Sequence, residues 1–207
     1  MVNTNSVPLC DLHAQYQNLR SELEAAVLKV LGSGQVILGP EVQAFEKEVA
    51  EYCGTGYAVG CASGSDALSI ALQAMEIGPG DEVIMPPFTF FASAGSVARL
   101  GARPVFADID AETYNIDPLQ IENKITKNTK AIMVVHLFGQ AADMELIWRI
   151  ADRHGLTIIE DAAQAAGASI NNIKPGQLSD AAAFSAHPLK PLNALGDAGY
   201  LVTNNKI

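Results

Sequence analysis

Leu19, Leu23, Val27 and Leu31 recur every fourth residue, and Val42, Phe45, Val49 and Tyr52 repeat at intervals of three and four. Both series fit amphipathic helices, because residues three and four apart share one helical face. Between them G-S-G-Q-V-I-L-G-P at 32–40 carries helix-breaking glycines and a proline, and is expected to form a loop. Beyond Gly54 the period changes. Short apolar runs at 57–61, 82–85, 104–107, 131–136 and 156–160 alternate with helical stretches near 65–76, 90–100, 117–125 and 143–154, and a last run, Y-L-V-T, follows at 200–203. Apolar strands separated by helices predict an α/β fold, a mostly parallel sheet flanked by helices on both faces. Ligands of such sheets bind outside the carboxyl ends of the strands. That places interest on Ser63–Gly64 after the first run and on Asp161 after the fifth.

Composition narrows the function classes. Apolar residues make up 49% of the 207 positions and charged residues 17%, which suits one sizeable packed domain and not a disordered chain. The formal net charge is −10 and Lys and Arg form no cluster, so no basic face is offered to nucleic acid. Cys10, Cys53 and Cys61 form no C-x-x-C and cannot all pair, which favours free thiols in a reducing compartment. The opening M-V-N-T-N-S-V-P lacks the basic and apolar regions of a signal peptide, and the longest apolar stretch, 131–139, is too short to span a bilayer. A soluble cytoplasmic protein, without membrane or nucleic-acid partners, is the expectation. No linker or repeat divides the chain. The last run meets N-N-K-I and stops, so a truncated polypeptide is expected.

Asp161 and Lys190 are the residues that suggest chemistry. Asp161 sits in L-T-I-I-E-D-A-A-Q at 156–164, and Lys190 ends F-S-A-H-P-L-K at 184–190. A neutral amine forms a Schiff base with an aldehyde, and burial favours the neutral form. A carboxylate at the end of a buried strand holds a ring nitrogen protonated and so makes the ring an electron sink. Pyridoxal 5'-phosphate (PLP) is the cofactor that asks for both partners. The two residues carry little at this spacing unless other segments supply phosphate and ring contacts.

S-G-S-D-A-L at 63–68 lies between a strand and a helix. Either Gly64, Ser65 and the backbone of Asp66 offer N–H groups to a phosphate, or the segment is a plain serine N-cap. P-P-F-T-F-F at 86–91 follows the second strand. Phe90 or Phe88 stacks on a flat ring there, or all three phenylalanines belong to the core. Gln164 reaches a ring hydroxyl or serves as a cap. Ser185 precedes Lys190 closely enough to share one cofactor with it, and His187 lies between them, against the ring or in a structural role. G-x-G-x-x-G and the P-loop pattern are absent. No histidine has ligand-type neighbours at metal-binding spacing, so no metal site is expected.

These segments join others: V-P-L-C-D-L-H-A-Q-Y at 7–16, S-G-Q-V-I-L-G-P-E-V-Q-A-F-E at 33–46, G-P-G-D-E-V-I at 78–84, G-A-R-P-V-F-A-D-I-D at 101–110 and H-L-F-G-Q at 136–140. With E-D-A-A-Q and H-P-L-K-P-L-N-A-L-G-D, the most diagnostic pair, the chain resembles the DegT/DnrJ/EryC1/StrS family of PLP-dependent sugar aminotransferases essentially end to end. The resemblance implies the fold of aspartate aminotransferase (fold type I), with residues 1–207 forming the N-terminal segment and the large PLP-binding domain. The small C-terminal domain of the family would be absent.

It also implies Lys190 as the Schiff-base lysine, Asp161 at the pyridine nitrogen, Gln164 at the ring hydroxyl and Phe90 stacked on the ring. Gly64, Ser65 and Ser185 match phosphate contacts. The family moves an amino group from glutamate, or glutamine, to a 3- or 4-keto sugar of a nucleotide sugar, and the resemblance implies a homodimer. Lys190 then acts as general base and acid in a ping-pong reaction. Two rivals stand beside this expectation: a same-fold sugar dehydratase, against which Lys190 counts because the family's dehydratases carry His there, and a PLP-binding fragment without turnover. Ala141, Ala166, Ala186 and the G-D-A-G at 196–199 depart from the usual family pattern without removing a catalytic group.

Overall fold

The computed structural model describes residues 7–205. The opening segment read as lacking a signal peptide therefore lies mostly outside the described residues, as does Lys206. The chain divides into two compact units, Met1–Phe45 and Glu46–Ile207.

In the first unit, helix α1 spans Leu12–Ser33. Its start is capped by Asp11, whose Oδ1 accepts the Ala14 N–H at 2.9 Å, and its end by Gly34 in the left-handed conformation. The apolar periodicity is real, yet α1 buries none of its residues, and Leu31 is 62% exposed. Helix α2 (Pro40–Cys53) begins on a proline at its first position, where a missing N–H costs nothing, and buries Val49, Ala50 and Cys53.

The second unit is built on a seven-stranded sheet: β1 Tyr57–Cys61, β2 Glu82–Met85, β3 Arg103–Phe106, β4 Thr129–Val135, β5 Thr157–Asp161, β6 Ala181–Ser185 and β7 Gly199–Thr203. The spatial order is β1-β7-β6-β5-β4-β2-β3. Strands β3, β2, β4, β5 and β6 pair in parallel, while β7 runs antiparallel to both β6 and β1. Two reversals cancel, so β1 points the same way as β2 to β6. Six carboxyl ends therefore share one edge, and β7 alone runs against them.

Helices α3 (Gly64–Ala74), α4 (Phe91–Arg99), the one-turn α5 (Pro118–Ile121) and α6 (Met144–His154) connect the strands. Side chains alternate between the two faces of the sheet. Val83, Met85, Met133 and Ile159 join Leu68 and Leu72 of α3 and Val97 of α4 in one core cluster. Ile84, Ile132, Val134 and Ile158 join Ile147 and Ile150 of α6 in the other. Each such aliphatic side chain contributes about 1.5–3 kcal/mol when fully buried.

Strand β6, A-A-A-F-S, has no signal in the apolar pattern. Alanine is a poor strand former, but here three of them let α3 lie close. A Cβ placed on Gly64 would stand 2.8 Å from the Ser185 Cβ.

Candidate active site

The shared edge of carboxyl ends encloses a cavity of about 410 Å³. It is lined from α3 by Ser63, Gly64 and Ser65, and from the loop after β2 by Thr89 and Phe90. Asp161, Gln164, Ser185, His187 and Lys190 complete the part of interest. Residues from four distant stretches of sequence thus meet at one place.

The N-terminus of α3 forms one wall. Ser63 caps the helix, its Oγ accepting the Asp66 N–H at 3.1 Å and donating to Asp66 Oδ2 at 3.0 Å. In this arrangement the Asp66 N–H is directed to the Ser63 hydroxyl, and Asp66 does not line the cavity. Gly64 and Ser65 occupy the first two helical positions, where N–H groups have no acceptor inside the helix. Gly64 leaves open the space that a side chain would fill against Ser185, and Gly199 is held as closely, with a Cβ there falling 2.4 Å from the Ser63 carbonyl carbon. The cradle is therefore glycine-walled on two sides. Ala198 adopts no positive φ, so its methyl group is accommodated.

Asp161 ends β5 and is 5% exposed. Its Oδ2 accepts the Ser93 hydroxyl at 2.6 Å and its Oδ1 the Ala163 N–H at 3.2 Å. Burial pushes its pKa up; the Ser93 and Ala163 hydrogen bonds and the nearby Lys190 pull it back. A buried acid of this kind suits a ligand that brings a positive charge. Lys190 is half-buried and sits in the loop after β6, with its N–H bonded to the His187 carbonyl at 2.8 Å.

Gln164 Oε1 accepts the Phe138 N–H at 2.7 Å. That contact fixes the amide's orientation and leaves its NH₂ as the end able to donate to an anionic ring oxygen. Phe138 holds φ 55°, a conformation rare for a bulky residue. None of the phenylalanines of 86–91 belongs to the core: Phe88, Phe90 and Phe91 are 48%, 72% and 81% exposed. Phe90 lines the cavity, whereas Phe88 packs on Tyr114 and Phe138 at its margin. His187 also lines the cavity, its Nδ1 accepting the Leu189 N–H at 3.2 Å.

Two groups next to Asp161 were given no role by the sequence. One is Ser93. The other is the buried pair of His136 and Glu160, whose Nε2 and Oε2 lie 2.5 Å apart. The Ala142 N–H donates to His136 Nδ1, so the ring proton sits on Nε2 and points at Glu160. Glu160 also accepts from the Gly176 N–H and the Ser179 hydroxyl. These residues braced behind Asp161 are recognisable only once β4, β5 and the 174–179 segment are side by side.

The set fits PLP. A glycine-walled helix N-terminus suits the phosphate, a buried carboxylate the ring nitrogen, a donor amide the ring hydroxyl, an exposed aromatic the ring face and a primary amine the aldehyde.

Comparisons agree with that fit. The model of the DegT/DnrJ/EryC1/StrS aminotransferase family matches residues 17–207. Over 200 residues the chain is 52% identical to a protein of Geobacillus stearothermophilus named "Pleiotropic regulatory protein", covering 97% of this chain and 54% of that one. It is 48% identical to the dTDP-3-amino-3,4,6-trideoxy-alpha-D-glucose transaminase of Streptomyces venezuelae, covering 98% and 53%. The crystal structure of S. venezuelae DesV in complex with a ketimine intermediate superposes with a TM-score of 0.95 at 48% identity, over 98% of this chain and 54% of that one. The chain thus spans about half the length of these relatives.

Proposed function

Because the chain belongs to the DegT/DnrJ/EryC1/StrS aminotransferase family, we propose that it is the PLP-binding part of an enzyme that moves an amino group from glutamate to a 3- or 4-keto sugar of a nucleotide sugar. The observation that carries this is Asp161 and Lys190 facing one cavity whose phosphate wall is the N-terminus of α3. When bound, PLP supplies the electron sink for the proton shift. Gly64 and Ser65 present backbone N–H groups, and Ser185 a hydroxyl, to its phosphate. Asp161 would hold a proton on the ring nitrogen, and the Gln164 NH₂ would donate to the ring oxygen. The Lys190 Nζ would be the amine that holds the cofactor's aldehyde, and when free it would serve as the general base and acid at the substrate carbon. Phe90, which lines the cavity, would lie against the ring face.

The substrate class is supported by the transaminase name of the S. venezuelae relative. Lys190 in place of histidine favours amino transfer over the dehydratase chemistry of the same fold. A homodimer belongs to the same reading, supported by Phe90, which lines the cavity, and Phe138, bonded to Gln164, which stand 72% and 75% exposed. A cytoplasmic location is supported by three free cysteines. Among the described residues no helix is long and apolar enough to cross a membrane. The test is an absorbance titration with PLP followed by addition of glutamate. A visible band that forms with PLP and decays with glutamate is expected; a chain that takes up no PLP would contradict the reading. Light scattering that finds only monomer would contradict the dimer.

A further inference from the structure

Ser93 is the third residue of α4, wholly buried, and reaches Asp161 across 68 residues of sequence. Its Oγ lies 2.6 Å from Asp161 Oδ2, 2.7 Å from Thr89 Oγ1 and 3.1 Å from the Phe90 carbonyl. A hydroxyl has one proton and two acceptor lone pairs. While Asp161 is ionised, the short charge-assisted contact takes that proton. Thr89 must then be the donor in its contact with Ser93. The result is a directed relay, Thr89 to Ser93 to Asp161. If Asp161 carries a proton instead, it can donate to Ser93, and the Ser93 proton has a second seat on the Phe90 carbonyl. The hydroxyl therefore has two settings, chosen by the charge on Asp161.

We infer that Ser93, backed by Thr89, is a positioning residue for the cofactor's ring nitrogen: its hydroxyl orients the Asp161 carboxylate and keeps it ionised toward the ring. This rests on the PLP reading above. Among the influences that oppose burial at Asp161, the Ser93 hydrogen bond is the foremost, ahead of the Ala163 N–H and Lys190. A purely structural role is met elsewhere on the same helix. The Ser96 hydroxyl, equally buried, donates to the Ser93 carbonyl at 2.9 Å and touches nothing in the cavity. The start of α4 is already tied by the Ser93 N–H to the Phe90 carbonyl at 3.1 Å. The Ser93 side chain is not needed for that.

The test compares PLP with an analogue in which CH replaces the ring nitrogen, by absorbance titration of the wild-type chain, Ser93→Ala, Ser93→Thr, Thr89→Val and Ser96→Ala. Ser93→Ala should weaken PLP roughly 10- to 100-fold, the usual worth of a hydrogen bond to a charged group, and leave the analogue unchanged or tighter. Ser93→Thr keeps the hydroxyl and should recover most of the PLP affinity. Thr89→Val should show a smaller loss of the same selectivity, and keeps the test alive if Ser93→Ala does not fold. Ser96→Ala should bind both ligands as the wild type does. Equal losses for the two ligands, or no loss for either, would overturn the role of Ser93 while leaving PLP binding intact. A wild-type chain that binds neither would bring down the aminotransferase reading and this one together.

Discussion

Asp161→Asn separates the two demands placed on that position. The carboxylate is 5% exposed and has two donors, the Ser93 hydroxyl at 2.6 Å and the Ala163 N–H at 3.2 Å. Asparagine has the same shape. Its oxygen still accepts from Ala163, its NH₂ takes the place of Oδ2, and the Ser93 proton turns to the Phe90 carbonyl. No buried polar atom is orphaned, so folding should cost little. The linkage sign points the same way. Burial raises the folded pKa of Asp161, so its contribution to stability is fully present below the unfolded pKa of about 3.9 and is lost as pH rises through the folded value. The PLP-free asparagine variant should therefore melt at or above the wild-type temperature at neutral pH, with the difference closing toward acid. Once PLP is bound the effect reverses. An amide cannot hold the charge of a protonated ring nitrogen, and the glutamate half-reaction should slow by roughly 10²-fold or more, several kcal/mol of transition-state stabilisation. Melting curves across pH and stopped-flow absorbance after glutamate addition read the two halves independently. A sharp fall in the melting temperature, or a half-reaction at near wild-type rate, would refute the assignment of Asp161 to the ring nitrogen.

Gly64→Ala puts a Cβ 2.8 Å from the Ser185 Cβ, in the proposed phosphate cradle. Overpacking of this kind costs about 1–3 kcal/mol, and PLP affinity should fall at least as much as stability when both are measured. Glu160→Ala orphans three donors, the His136 Nε2–H, the Gly176 N–H and the Ser179 hydroxyl. At about 1–3 kcal/mol each, urea unfolding should show a loss of roughly 3 kcal/mol or more; a loss under half of that would mean the segment around 176 relaxes freely. Leu72→Ala removes a fully buried side chain between α3 and the sheet and should cost about 2–5 kcal/mol in the same assay.

The parts of this molecule that were legible in the sequence are those written by local pattern. Continuous apolar runs such as A-I-M-V-V marked buried parallel strands, and Ser63 ahead of α3 marked a helix start. Asp161 was legible because it closes an apolar run, whereas Gln164, Ser185 and Lys190 stood out through the segments E-D-A-A-Q and F-S-A-H-P-L-K and the resemblance they carry. Strand β6 was not, because its alanines are chosen for the closeness of α3 and not for strand propensity. The reversed course of β7 was equally hidden, since a strand's own residues do not say which way its neighbours run. Phe88 and Phe91 were open to a core reading because apolarity alone does not tell a core residue from one on an open rim. Ser93 and the His136–Glu160 pair are invisible for a different reason. Each acts through a partner 24 or 68 residues away, and a single serine or histidine carries no spacing that would reveal it.

The central claim is that Lys190 is the amine that takes the cofactor's aldehyde. Incubating the chain with PLP, reducing with borohydride and mapping the peptides by mass spectrometry tests it without requiring turnover. The pyridoxyl group is expected on Lys190 alone. Labelling of Lys174 or another lysine with Lys190 unmodified, or no labelled lysine at all, would contradict the account.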